Sequence, residues 1–114
     1  MRRGEVWLVN LDPVLGSEVG KQRPAIVIQN DLANQTSPTV TVVPLTTQTQ
    51  RVFPFQVLIA AGEGGLPRAS KVLCEQVRSV SRQRMERCLG VVSDERLAAI
   101  RIALDRHLWF DLPT

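Results

Sequence analysis

The chain of 114 residues has a single histidine, no tyrosine and only two lysines. Nowhere does it approach the roughly 20 consecutive apolar residues that a bilayer span needs. Each shortage excludes something. One histidine, His107, rules out by counting any mechanism that needs a histidine pair as acid and base. It lies in a helix-like C-terminal segment near Trp109 and Phe110 and reads as structural. The two cysteines, Cys74 and Cys88, form no C-x-x-C pair and lack the histidines a zinc site would add, so both read as buried small hydrophobes. The eleven acidic residues are scattered, with no D-x-D or E-x-x-E pair in a loop, which argues against a metal-dependent site. Neither a metal nor a cofactor is expected. Met1-Arg2-Arg3-Gly4-Glu5 is followed by neither an uninterrupted apolar stretch nor a small-residue cleavage site. A secretory leader is therefore not expected, and the reading is cytoplasmic with no membrane partner.

What the chain does have is an ordinary globular balance, 44% hydrophobic and 22% charged, with a net charge of +3 carried by 12 arginines and 2 lysines. Its length is that of one domain with one core, residues 1–114. A mild basic excess fits a polyanionic partner without proving one.

Short β-type runs dominate. They are Glu5 to Asn10, Ala25 to Gln29 opened by Arg23-Pro24, Thr39 to Leu45, Phe55 to Ile59, Lys71 to Arg78, and roughly Arg87 to Val92. Asn30 and Asp31 break the second run, and Gly62, Gly64, Gly65 and Pro67 mark a turn region. In the fourth run Phe55, Val57 and Ile59 share a face, which places Phe55 in the core. The last segment differs: Ser93 is a helix cap, Asp94 and Glu95 suit a helix N-terminus, and Leu97, Ile100, Leu104 and Leu108 recur at helical spacing. Six strands and one C-terminal helix predict a mainly β fold, a strongly bent antiparallel sheet or small barrel with the helix packed on it. Closure of the sheet would remove its exposed edges.

Three polar clusters interrupt the apolar runs. Gly16-Ser17-Glu18-Val19-Gly20-Lys21-Gln22-Arg23-Pro24 joins the first two strands, with Pro24 fixing the backbone right after Arg23. Thr46-Thr47-Gln48-Thr49-Gln50-Arg51 follows the third strand. Glu75-Gln76-Val77-Arg78-Ser79 lies in the fifth, where strict alternation would set Gln76 and Arg78 on one face. A glutamine there can read a base edge and an arginine can hold a phosphate. Taken singly, each cluster is also what a solvated loop or an outer sheet face looks like.

Together they carry a resemblance. Gly16-Ser17-Glu18-x-Gly20-x-x-Arg23-Pro24-x-x-x-Ile28-Gln29-Asn30-Asp31, then Ser37-Pro38-Thr39 with Pro44-Leu45-Thr46, then Glu75-Gln76-Val77-Arg78-Ser79-Val80 resemble, in order and spacing, the MazF/PemK toxins. The resemblance covers most of the chain. It implies a small SH3-like β-barrel with helices, the fold also shared by CcdB-like plasmid-maintenance toxins. It implies a homodimer that cuts single-stranded RNA at short sequences, free of the ribosome, and so stops translation. It implies a MazE-like antitoxin that lays a C-terminal segment across the RNA groove. The family's catalytic arginine falls on Arg23, its catalytic threonine on Thr46 and its first-loop serine on Ser17.

The residues agree with that chemistry. Attack by the ribose 2′-hydroxyl needs a route for its proton, stabilisation of a crowded, charged phosphorane, and help for the leaving 5′-oxygen. Arg23 offers a planar guanidinium for bidentate phosphate contact, and Thr46 a hydroxyl for the same phosphate or for the 2′-hydroxyl. Arginine is a poor general base, its pKa exceeding about 12, so Glu18 or the substrate itself is the candidate proton acceptor. Lys21, Arg51, Arg78 and Arg82 are expected at phosphates, Phe53 against a base, and Ser17, Glu18 and Gln76 along the RNA path. Two rivals stand beside this reading. One is a CcdB-like gyrase poison, disfavoured because the ending Trp109-Phe110-Asp111-Leu112-Pro113-Thr114 lacks a Trp-Gly-Ile type terminus. The other is an inactive nucleic-acid-binding module on the same fold.

Overall fold

A computed structural model describes residues 1–109. Seven strands and two α-helices follow one another as β1 (Glu5–Asn10), β2 (Gln22–Val27), α1 (Asp31–Thr36), β3 (Thr39–Thr46), β4 (Gln56–Ile59), β5 (Ser70–Leu73), β6 (Arg78–Ser81), β7 (Met85–Val91) and α2 (Asp94–Leu108). Strand order is β4-β5-β3-β2-β1-β7, with β6 also on β3 and every pairing antiparallel. The eight-residue β3 is the spine. One edge pairs with β2; the other pairs first with β6 through Thr39–Val42 and then with β5 through Leu45 and Thr46. The mainly β architecture with a C-terminal helix matches the expectation. Closure by hydrogen bonding does not occur, because β4 and β7 remain the two ends of the sheet.

Both faces of the central strands are covered, so β2 from Pro24 onward and most of β3 read as nearly continuous apolar runs. Val6, Ile26, Val43, Leu45, Ile59 and Val72 pack with Ile100 and Ala103 of α2 in one core. Val9, Leu11, Ala25, Val27, Val40, Val42 and Val80 form a second core on the other side. Alternation sorts them: Ile26 enters the first core while its neighbours Ala25 and Val27 enter the second. Helix α2 is capped by the Ser93 hydroxyl, which accepts from Arg96 N, and buries Ile100 with Leu97 and Leu104 half-buried. Leu108 does not join that face; it is 62% exposed.

Several expectations are corrected here. Asn30 and Asp31 start a helix: the Asn30 side chain accepts from Ala33 N at 2.9 Å and caps α1. The predicted fifth strand splits into β5, a 3₁₀ turn at Cys74–Gln76, and β6. Gln76 and Arg78 therefore do not share a strand face. Glu75 and Gln76 of this turn are held by different elements: Glu75 Oε2 accepts from Gln56 Nε2 of β4 at 2.7 Å, and Gln76 Oε1 accepts from Val19 N of the β1–β2 loop at 3.0 Å. Cys74 is buried, with its thiol pushed up to about 12 by the loss of solvent, whereas Cys88 is exposed on the edge strand β7. Phe55 precedes β4 and is half-buried at the rim, outside both cores.

Candidate active site

The loop between β1 and β2 is closed at its base by Leu11 N donating to Lys21 O and by Lys21 N donating to Asp12 Oδ1. Lys21 has a left-handed φ of 63° there. Gly20 is required in this crossing, since a Cβ on it would meet Asp12 Oδ1 at 2.5 Å and a Val14 methyl at 2.7 Å. The Gly20 carbonyl is in turn the anchor for Arg23, whose Nε donates to it at 2.9 Å. That bond leaves both terminal nitrogens of the half-buried Arg23 without a protein partner among the described residues.

Thr46 is the last residue of β3. The last β2–β3 pair is Ala25 with Pro44, and continuing that register by two residues sets Arg23 opposite Thr46. Opposed residues of an antiparallel pair lie on one face. The two side chains accordingly line one cavity of about 220 Å³, together with Lys21, Thr47 and Ser70. Thr46 Oγ1 accepts from Gln48 N at 3.3 Å, so its hydroxyl proton stays free to donate. The pocket thus presents a fixed guanidinium, an ammonium and a hydroxyl donor, and none of the residues lining it is acidic.

Ser17, Glu18, Gln76 and Arg78 gather at a second depression of about 390 Å³, with Glu75 and Val77. Their uses differ from the sequence reading. Gln76 has both ends of its amide on the first loop, accepting from Val19 N and donating to Ser17 O at 3.3 Å. Glu18 braces the loop, its Oε1 accepting from Leu15 N at 2.6 Å, and does not line the Arg23–Thr46 cavity. Arg78 reaches the Leu11 carbonyl at 3.4 Å. Sequence reasoning missed Glu75: its Oε1 is buried and has no hydrogen-bond partner among the described residues, while Oε2 is held by the buried Gln56. The signal available in the sequence was the adjacent Glu75-Gln76 pair, but which element each would reach is set by the turn.

Arg51 and Phe53 form a third feature at the rim. The Arg51 guanidinium lies over the Phe53 ring at 4.5 Å from its centroid. Phe53 stacks on Phe55 with centroids 5.2 Å apart and planes within 3° of parallel. Phe55 meets the His107 ring at 6.0 Å, so His107 does pack structurally although it is exposed. Arg82 is removed from the phosphate candidates. Its guanidinium donates to Ser37 O at 2.6 Å, to Ala33 O at 3.3 Å and to Asn34 O, filling the carbonyls at the end of α1.

The family model of the PemK-like, MazF-like toxins of type II toxin–antitoxin systems matches residues 2–108. The chain belongs to this toxin family. Among the MazF-like relatives, the endoribonuclease MazF9 of Mycobacterium tuberculosis is 47% identical over 113 residues, covering 95% of this chain and 96% of its own. The endoribonuclease EndoA of Bacillus subtilis is 40% identical over 109 residues, covering 95% and 94%. The solved structure of MazF from Deinococcus radiodurans superposes with a TM-score of 0.83 at 28% identity, covering 95% of this chain and 96% of that one. In its complex with MazE the TM-score is 0.76 at 28% identity, covering 95% of each. The MazF-like fold, a curved antiparallel sheet with a C-terminal helix, is therefore shared, and these relatives favour a ribonuclease over a gyrase poison. No helix among the described residues of this MazF-like chain is long and apolar enough to cross a membrane.

Proposed function

We propose that this chain is a sequence-specific, metal-independent endoribonuclease toxin that cuts single-stranded RNA in the cytoplasm without the ribosome, with Arg23 and Thr46 as its catalytic residues. The observation that carries the reading is their meeting across one cavity, with the Arg23 guanidinium anchored through Nε and its outer nitrogens unused. In this reading the ribose 2′-oxygen bonds to phosphorus and the bond to the 5′-oxygen breaks. The products are a 2′,3′-cyclic phosphate, or a 3′-phosphate after its hydrolysis, and a 5′-hydroxyl. Arg23 holds two phosphate oxygens as charge builds, and Thr46 donates to the same phosphate. With Glu18 bracing the neighbouring loop, the 2′-hydroxyl proton passes to the substrate's own phosphate oxygen and on to the departing 5′-oxygen. Lys21 and Arg78 attract the flanking phosphates. Ser17 and Glu75 face a base in the second depression, while Gln76 holds its wall in place.

The whole of residues 1–114 serves as one toxin domain and works as a homodimer. A MazE-like antitoxin restrains it, as the complex of the Deinococcus MazF with MazE supports. The test is cleavage of a long single-stranded RNA by purified protein in excess EDTA, with ends mapped and Arg23→Ala alongside. Discrete cuts that share a short motif, survive EDTA and fall by roughly 100-fold or more in the variant are the expected outcome. Absence of cutting by folded wild-type protein overturns the nuclease reading, and gyrase binding is then the next assay.

A further inference from the structure

We infer that Arg51, seated over the Phe53 ring, is the stacking platform for one unpaired nucleobase of the RNA beside the cut, and that Phe53 supports it and does not take the base itself. This rests on the ribonuclease reading above and assigns to Arg51 a role in specificity that charge alone would not give.

The chain is poor in aromatic residues, with three phenylalanines, two tryptophans and no tyrosine. Yet Phe53 and Phe55 are in neither core; both are half-buried in a stack at the surface. Within it Phe53 is engaged twice, by the Arg51 guanidinium 4.5 Å from its centroid and by the parallel Phe55 ring at 5.2 Å. Arg51 is the exposed member of the three, Phe53 and Phe55 being half-buried. A guanidinium plane of that kind accepts a base by stacking and cation–π attraction, and its position on a ring removes the conformational freedom that binding would otherwise have to freeze.

The platform is also tied to the reacting pocket. Thr46 is paired across the sheet with Lys71. The Lys71 ammonium donates to the Arg51 carbonyl at 2.6 Å, so the loop 47–55 folds back to within one lysine side chain of the strand position opposite Thr46. From the other side, Gln56 Oε1 accepts from Phe53 N at 3.1 Å while its Nε2 holds Glu75. The stack, the Thr46 pocket and the depression with Glu75 are therefore fixed to one another by named hydrogen bonds. A base on Arg51 stands at a set distance from the phosphate on Arg23.

The experiment uses the full chain and an RNA containing its mapped cut site, made uncleavable by a 2′-deoxy sugar at the scissile nucleotide. Binding is measured for the intact strand and for strands lacking one base at each position in turn. For wild type, loss of the base at one position flanking the cut weakens binding roughly tenfold, the scale of one lost base stack. Arg51→Lys keeps the charge, and hence the salt dependence of binding, but binds intact RNA roughly tenfold more weakly and becomes indifferent to the missing base. Phe53→Leu, which removes the support under the guanidinium, lowers that sensitivity in the same direction. If Arg51→Lys retains wild-type affinity and the wild-type penalty at every abasic position, Arg51 is only a phosphate contact and the inference is overturned. If wild type neither binds nor cuts RNA, the ribonuclease reading itself falls, a separate result from cutting that shows no base-dependent coupling to Arg51.

Discussion

Arg23 and Arg82 carry the same guanidinium and serve opposite ends. Arg82 turns its donors inward onto three backbone carbonyls at the end of α1, whereas Arg23 commits only Nε and leaves two nitrogens toward a cavity. The sequence places both among basic, polar residues and has no means of telling them apart, because the difference lies in which carbonyls tertiary folding brings within reach. Motif position marked Arg23 and Thr46; it said nothing of Gln76 holding a loop or of Glu75 having a buried, unpartnered oxygen. Arg82→Ala should lower stability by about 1–3 kcal/mol, the loss of charge-assisted bonds to part-buried carbonyls. RNA cleavage by the folded fraction should be unchanged. Thermal melts beside cleavage assays check this; unchanged melting with lost cleavage would return Arg82 to the RNA path.

Among the elements, the long strands and α2 were legible because their periodicity runs for several repeats. The six-residue α1 was not: it is too short for periodicity to register, and its Asn30 cap reads equally well as a strand breaker. The 3₁₀ turn at Cys74–Gln76 was hidden for a different reason, since its residues alternate well enough for a strand and bend where Glu75 meets the start of β4 and Gln76 the β1–β2 loop. A pH effect belongs to this scale. Glu63, in the 3₁₀ turn Glu63–Gly65, receives two bonds from Arg96 of α2, at 2.8 and 3.0 Å. The hydrogen bond from Arg96, with its charge, holds the Glu63 carboxyl below its usual range. A lowered folded-state pKa contributes stability above the ordinary carboxylate value and loses it as pH falls through the folded one. Glu63→Gln should therefore melt below wild type at neutral pH, with the gap closing once acid has protonated Glu63. A gap of equal size at both pH values would show that the pair contributes through packing alone.

At the level of the whole molecule, two cores on opposite faces of one curved sheet fix the strand β3 from both sides, and the candidate pocket sits at its C-terminal end. A rigid strand end carrying Thr46, with Arg23 of the neighbouring β2 lining the same cavity, is how the fold gives a short polar loop a defined geometry. The overall class was readable from strand count and the amphipathic last segment. The open ends at β4 and β7 were not, because closure depends on pairings between strands distant in sequence. The central claim is that Arg23 and Thr46 act on one phosphate. Its most direct test is a double-mutant cycle on the single-turnover cleavage rate with Arg23→Ala, Thr46→Ala and both together. Each single change should cost roughly 100-fold or more, and the double little beyond the worse single, because residues that act as a unit are strongly non-additive. Losses that multiply independently, or full activity in either single variant, would contradict a shared phosphate site.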